Sequence, residues 1–377
     1  MGITKRPNPM PKYIHELPTW PNFQLRTEEL LALIANAAKL RGELQGRIAT
    51  LGLKNAAEVR AGAIATEAVK SSEIEGEHFD FDVVRSSVAQ RLGLDVGGVP
   101  ADRRVEGIVA IALDVADRYA EPLSEQRLFN WHGALFPTGY ASFGKIAVGV
   151  YRDDSQGPMQ VVSKASTKNQ VVHFQAPDAP RLSLEMARFL DWFQETRHLE
   201  GSVKSALAHL WFITIHPFED GNGRIGRAIL DLALARDDND PLRAYSVSAQ
   251  IQAEKKGYYD ILEQTQKGDL DVTDWVTWYL GCLARAVQKS IQEVDGAIQR
   301  EKFWTHHGNK QFNERQRKVV SLLLIGFEGK LRNEKYRRLT EVSDATASRD
   351  LADLVEQGIL IRQGEGKGSY YELSPES

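Results

Sequence analysis

Apolar residues recur with helical spacing along most of this chain, and strand-like alternation is confined to short stretches. Leu25–Leu51 reads as a helix rich in Leu and Ala, with Gly42 and Gly46 placed for close packing, and Ala56–Lys70 favours a second. Helical patterns follow at Arg104–Tyr119, Ser124–Leu135, Leu182–Glu195 and Ser202–Ile215. Within the last of these, Ala206–Ile215 is almost entirely apolar, the mark of a buried helix. Arg224–Ala235, rich in Ile, Leu and Ala, predicts another. Between Phe143 and Phe174 the pattern changes. Ile146–Arg152, Met159–Val162 and Val171–Phe174 alternate or run apolar, and Gly157-Pro158 breaks the first two, which predicts a β-hairpin. Near the end of the chain, helices are expected over Glu314–Leu324, Asn333–Leu339 and Ser343–Glu356. Ile359–Arg362, the glycine-rich Gly364–Gly368 and Tyr370–Leu373 then read as strand, turn and strand. Gly93–Pro100 is a loop and a boundary, and Phe303–Lys310 a linker, so the expected parts are residues 1–100, 101–300 and 311–377.

The densest chemistry follows the apolar helix, in the stretch from His216 to Arg227. Pro217 has no N–H and biases His216 away from helical geometry, so the helix ends there and leaves the imidazole in a turn. Gly221 and Gly223 can take positive φ and bring backbone close to a ligand. The N–H groups of such a turn, with the free N-terminus of the next helix, form an anion seat. Arg224 and Arg227, three apart, lie on one helical face and can clamp neighbouring phosphates. Asp220 is a hard oxygen ligand suited to Mg²⁺ shared with a polyphosphate. His216, with a reference pKa of roughly 6.5, can take a proton from an attacking hydroxyl. Singly, each residue has an ordinary reading: a structural histidine, a turn, two solvated arginines. In this order and spacing, phosphate chemistry is the better reading.

The stretch resembles, at every fixed position, the motif of the Fic family, His-Pro-Phe-x-Asp/Glu-Gly-Asn-Gly-Arg-x-x-Arg. The resemblance implies a mostly α-helical core that transfers AMP from ATP, with Mg²⁺, to a Ser, Thr or Tyr hydroxyl of a target protein. It implies that His216 is the general base and Asp220 the metal ligand. Asn222 and the Gly221 and Gly223 backbone would cradle the α- and β-phosphates, with Arg224 on the β-phosphate and Arg227 on the γ-phosphate. Upstream, Ser71-Ser72-Glu73-Ile74-Glu75-Gly76 resembles the family's inhibitory helix motif, Ser/Thr-x-x-x-Glu-Gly/Asn. That implies that Ser71, Glu75 and Gly76 restrain the site, with Glu75 paired to Arg227. Gly157 to Ser163 resembles the family's flap, which implies that Gly157, Met159 and Val161 belong to an edge on which a target segment docks as an added strand. Tyr258 and Tyr259 would border the adenine. The opening segment Tyr13–Phe23 is similar to a helical region found ahead of some Fic cores, and Asn313–Leu373 resembles a winged helix-turn-helix.

Composition narrows the partners. Net charge of −4 gives no global basic surface for nucleic acid. The third helix of the C-terminal segment carries Arg349 but also Asp344, Asp350, Asp353 and Glu356, so its role stays open between DNA binding, protein docking and a homodimer. A single cysteine, Cys282, after the apolar run Trp275–Leu280, is expected as a buried thiol and fits a reducing cytoplasm. No stretch approaches a membrane span, and Met1–Pro11 is basic and proline-rich without the apolar core of a secretory signal. Two other functions remain open: removal of AMP from modified proteins, with Glu75 positioning a water, and a nucleotide-sensing DNA-binding regulator.

Overall fold

The computed structural model describes residues 12–94, 103–141, 144–163, 171–196, 199–239, 243–325, 329–365 and 368–375. Met1–Pro11, most of the Gly93–Pro100 loop, and Gly366 and Lys367 of the C-terminal turn lie outside the described residues. The chain opens with α1 (Thr27–Ala49), α2 (Leu53–Ile74), α3 (Phe81–Arg91), α4 (Arg103–Asp117) and α5 (Glu125–Leu135). Four short strands follow: β1 (Tyr140–Ala141), β2 (Gly144–Lys145), β3 (Gln160–Ser163) and β4 (Val171–Gln175). Then come α6 (Leu182–Glu195), α7 (Gly201–Ile215), α8 (Asn222–Asp238), α9 (Val247–Ala253), α10 (Lys255–Gln266) and α11 (Thr273–His306). The last elements are α12 (Glu314–Ile325), α13 (Asn333–Thr340), α14 (Asp344–Glu356), β5 (Leu360–Gln363) and β6 (Tyr370–Leu373). The fold is mostly α-helical, as the periodicity predicts.

Two compact units divide the chain, Met1–Ser290 and Ile291–Ser377. The expected segments 1–100 and 101–300 therefore share most of one unit rather than forming two. The reason is α2, which packs against α3, α4, α8 and α9. The core of this unit is α7, buried at every position except Lys204 because it has no polar face to turn outward. α8 returns alongside it, so the loop between them is held between two buried helices. Gly107 of α4 lets that helix meet α5 closely, since a Cβ there would lie 2.0 Å from the Ala134 carbonyl oxygen.

Three expectations are corrected. Gly42 and Gly46 mediate no close approach, since no atom lies within 4 Å of a Cβ at either. The hairpin pairs β3 with β4, antiparallel, with a register shift between Val161 and Val162. Its connecting residues 164–170 lie outside the described residues. Ile146–Arg152 is not one of its strands, because its backbone is committed to the loop after α7: Ala147 N–H donates to Glu219 (3.0 Å) and Arg152 N–H to the Pro217 carbonyl (3.0 Å). The expected linker also begins too early. α11 continues to His306, and Phe303, 4% exposed, packs in an apolar core with Val319, Tyr336, Leu351 and Leu354.

In the second unit, three helices precede an antiparallel β5–β6 pair, and Leu331 adds a bridge to Tyr371. Asp350 faces inward here. It accepts from the Tyr336 hydroxyl (2.9 Å), Arg315 Nε (2.8 Å) and Asn313 Nδ2 (3.0 Å), so of the four acids noted in the third helix this one is turned into the core. Cys282 is fully buried, as expected, and burial raises its thiol pKa far above the usual range. Among the described residues, no helix is long and apolar enough to cross a membrane.

Candidate active site

α7 ends at Ile215, and His216 takes the left-handed conformation (φ 51°, ψ 59°). A residue before proline is pushed out of the right-handed helical region. Its N–H still reaches the Phe212 carbonyl at 2.9 Å, so the turn begins without a lost hydrogen bond. Asn222 closes the loop from the other side. Its Oδ1 accepts from Phe218 N–H (2.9 Å) and its Nδ2 donates to the Phe218 carbonyl (2.8 Å). The Asn222 side chain is thus committed to loop shape, and what the loop offers an anion is backbone. Phe218 is fully buried and stacks on His132, with ring centroids 4.3 Å apart.

The two motif glycines serve different needs. Gly221 has φ 81°, the positive value expected. Gly223 does not. It sits in the first turn of α8, where a Cβ would lie 1.9 Å from Glu75 Oε1, so it is needed for close approach instead. A carboxylate of the chain itself therefore rests on the helix N-terminus, where anions are favoured.

Arg227, 1% exposed, donates from Nη2 to Glu75 Oε1 (2.8 Å) and to the Ser71 carbonyl (2.7 Å), and from Nε to Ser71 Oγ (2.9 Å). Burial pushes the Glu75 carboxyl up, but the charge and hydrogen bond of Arg227, aided by Arg224 and His216, outweigh it and hold the pKa below the usual range. Arg224, 6% exposed, pairs with Glu77 at 2.9 Å. Each arginine keeps one buried N–H donor without a partner, Arg224 Nε and Arg227 Nη1.

His216 donates from Nδ1 to the Ile213 carbonyl (3.2 Å), which assigns the proton to Nδ1 and leaves a lone pair on Nε2. Burial lowers its pKa below 6.5, the nearby Arg152 guanidinium adds to this, and Glu75 opposes it. The ring is neutral at neutral pH, the state a base requires. Asp220 accepts from Gly221 N–H (2.6 Å) and lies 3.8 Å from Arg224. Burial raises its carboxyl pKa, with Glu75 and Glu77 adding repulsion. A cation beside it would relieve both. Among the described residues, no three His, Cys, Asp or Glu side chains converge as a metal-binding group. One carboxylate completed by phosphate oxygens is the mode that fits Mg²⁺ here.

Three residues that the sequence reading passed over also serve this loop: Glu77, His132 and Arg152. His132 accepts from Gly149 N–H at Nδ1 (3.0 Å) and meets the Asp220 carbonyl through Nε2 (3.2 Å). Tyr258 is 2% exposed with its hydroxyl on His209 (2.8 Å), which makes it core, whereas Tyr259 is 39% exposed. In the hairpin, Gly157 has φ 107°, and Met159 and Val161 pack partly against Tyr13, Phe174 and Ala176.

A neutral histidine, a carboxylate and two buried arginines around a helix N-terminus can together seat a phosphate and accept a proton beside it. Comparison with known proteins places this segment in a family. Residues 122–234 match the Fic/DOC family, and residues 13–94 match a domain of unknown function, DUF4172. The chain therefore carries a Fic/DOC-family domain. It is 31% identical over 125 residues to "Protein adenylyltransferase fic-1" of Caenorhabditis briggsae, covering 32% of this chain and 22% of that protein. It is 26% identical over 145 residues to "Uridine 5'-monophosphate transferase" of Xanthomonas campestris pv. campestris, covering 35% of this chain and 24% of that protein. The chain thus spans only about a fifth to a quarter of the length of the curated relatives it matches. Among solved structures, a Fic family protein from Desulfovibrio desulfuricans G20 superposes with a TM-score of 0.50 at 24% identity, covering 92% of this chain and 97% of that one. A Fic domain protein from Bacteroides thetaiotaomicron gives 0.51 at 19% identity, covering 69% and 97%. These two likenesses speak to fold alone.

Proposed function

We propose that the protein transfers AMP from ATP to a hydroxyl side chain of a target protein, and that Glu75 restrains the reaction. The observation that carries the reading is the pair of buried arginines, each with an unpartnered N–H beside the glycine-lined end of α8. A buried donor without a protein partner needs a water or an ion, and beside a helix N-terminus an anion meets that need. The relatives named for adenylyl transfer support AMP as the group moved, and the uridylyl relative makes the base the first property to vary.

In this reading His216 Nε2 takes the proton of the target hydroxyl. The oxygen attacks the α-phosphorus, the bond from that phosphorus to the bridging oxygen breaks, and pyrophosphate leaves. The N-terminus of α8 and the Gly221 backbone hold the α- and β-phosphates, Arg224 the β-phosphate and Arg227 the γ-phosphate. Asp220 would hold Mg²⁺, which would supply charge neutralisation for the leaving group. Asn222 keeps the loop in shape, and the β3–β4 hairpin, with Gly157, Met159 and Val161, docks the target segment. Glu75, paired with Arg227, keeps that guanidinium from the γ-phosphate and opposes an anion there, Ser71 fixes where Arg227 stands, and Gly76 ends the helix that presents Glu75. The single buried cysteine supports work in a reducing cytoplasm.

The test uses ATP labelled at the α-phosphate, Mg²⁺ and a cell extract. Label on protein with Glu75→Gly, lost in Glu75→Gly/His216→Ala, is the expected result. Label that persists in the double variant would remove His216 as the base. Release of AMP from a modified target, dependent on Glu75, would reverse the direction of the reaction. A winged-helix, duplex-binding role for the second unit has one observation in its favour, the inward turn of Asp350, which removes one acid from the face of α14 that exposes Ser343, Ser348 and Arg349, although Asp344, Asp353 and Glu356 stay exposed. Salt-dependent retention of a DNA duplex by the full chain tests it.

A further inference from the structure

We propose that Arg152 is a positioning residue that ties the His216 base to the root of the β3–β4 hairpin, so that one side chain sets the base against the strand on which a target docks. The inference rests on the reading of His216 as the base.

Arg152 is almost fully buried, its side chain 2% exposed, and its donors reach two distant segments and its own near neighbour Asp154. Nε donates to the His216 carbonyl at 2.8 Å. Nη2 donates to the Pro177 carbonyl at 2.5 Å, two residues beyond the end of β4. Nη1 binds Asp154, whose other carboxylate oxygen accepts from Ala179 N–H at 2.6 Å. The Arg152 backbone N–H adds a bond to the Pro217 carbonyl at 3.0 Å. One planar guanidinium therefore joins the turn that carries the base to the segment that leaves the hairpin.

Two of the residues it engages are unusual. His216 and Asp154 have φ of 51° and 55°, a region that L side chains rarely adopt. Such conformations persist only where the surroundings over-determine them, and they concentrate at functional sites. At His216 the over-determination comes from Pro217 on one side and Arg152 on the other. A lysine cannot replace this fork, because an ammonium is a point charge without fixed donor directions. Arg152 touches no reacting atom. Its effect is on where His216 Nε2 stands relative to a hydroxyl presented on the hairpin, and displacement of about 1 Å at a reacting centre can lower a rate about a hundredfold.

The experiment compares Arg152→Lys and Asp154→Asn in the Glu75→Gly background. It reads four quantities: kcat for AMP transfer, Mg-ATP affinity, thermal midpoint, and the His216 ring signal by histidine-selective ¹³C NMR. For Arg152→Lys, kcat falls at least about tenfold while ATP affinity stays within about twofold and the His216 signal moves. Asp154→Asn, which loosens only the arm toward Ala179, gives a smaller loss of kcat. Transfer within about twofold of the parent with a superposable His216 signal would overturn the proposal. So would a loss in which kcat, ATP affinity and thermal midpoint fall together, since that describes a brace of the whole fold. If the parent transfers no label at all, the reading of the site fails, and the His216 signal alone still decides whether Arg152 holds that residue.

Discussion

Glu75→Gly removes a carboxylate that rests on the N-terminus of α8, 2.8 Å from Arg227. A γ-phosphate held by the same guanidinium would stand about 4 Å from that carboxylate, and two unit charges at this distance repel by about 4 kcal/mol at an effective dielectric of about 20. The Glu75 side chain is 31% exposed, so solvent and salt weaken the repulsion. About 2 kcal/mol is the working value, which corresponds to roughly a thirtyfold gain in productive transfer. Arg227 stays in place, because Ser71 still offers it a carbonyl and a hydroxyl. The variant nevertheless leaves a buried cation without its counter-charge, which costs about 3 kcal/mol of stability in the ligand-free protein. Two measurements separate these effects. Initial rates of α-phosphate label transfer should rise about thirtyfold over wild type. The thermal midpoint should fall without ligand and recover with Mg-ATP by more than in wild type. Glu75→Gln, which keeps an acceptor and loses the charge, should give an intermediate rate. A midpoint that falls while the rate stays within about twofold of wild type would mark Glu75 as a structural ion-pair partner and refute the electrostatic obstruction.

His216→Ala should lower transfer by at least about a hundredfold and leave Mg-ATP affinity within about threefold, checked by calorimetry, because in the proposed function the ring is the base and not part of the anion seat. His132 and His209 are fully buried, and burial lowers each to about 4, so both are neutral when folded. An unfolded chain takes up their protons below about pH 6.5, hence stability is complete above that pH and is lost as pH falls from 6.5 toward 4. Urea midpoints that do not decline between pH 7 and about pH 5 would contradict this. Gly107→Ala should destabilise by about 1–3 kcal/mol in urea titration, since the added Cβ meets a backbone oxygen that cannot swing aside. A neutral result would mean that α4 and α5 are less closely packed than described.

Much of this was legible in the sequence, and the exceptions share a physical cause. α7 was readable because an apolar surface all round permits only burial. The loop from His216 to Gly221 was readable because proline and glycine constrain backbone locally, whatever the rest of the fold does. Glu77, His132 and Arg152 were not, because their meaning lies in where distant segments meet: Glu77 reaches Arg224 across 147 positions and Arg152 reaches His216 across 64. In the sequence each is an ordinary polar residue. Ile146–Arg152 misled for the same reason. Its apolar alternation reflects packing beside the motif loop, and a strand pattern cannot distinguish that from pairing. Gly223 was read as a source of positive φ, when the need was for space beside a carboxylate 152 residues from its partner arginine.

The same contacts that the proposed function treats as restraint also answer a folding problem. Two guanidiniums at 6% and 1% exposure are expensive to bury without counter-charges. In the absence of nucleotide those charges come from the end of α2. Gly76, at φ 84°, ends the helix, and the Glu77 N–H returns to the Ser72 carbonyl at 3.0 Å, the bond that closes a Schellman turn. That turn presents Glu75 to Arg227 and Glu77 to Arg224. In the proposed function, a triphosphate at the seat must compete with the carboxylates that balance these two arginines. The restraint is therefore bounded on both sides. A weaker pair would leave the arginines uncompensated before ATP binds, and a stronger one would close the seat to phosphate altogether. If the proposed function holds, the Glu75–Arg227 contact serves restraint and the stability of two buried arginines at once, and a partner that relieves it must supply negative charge of its own or move the end of α2 as a unit.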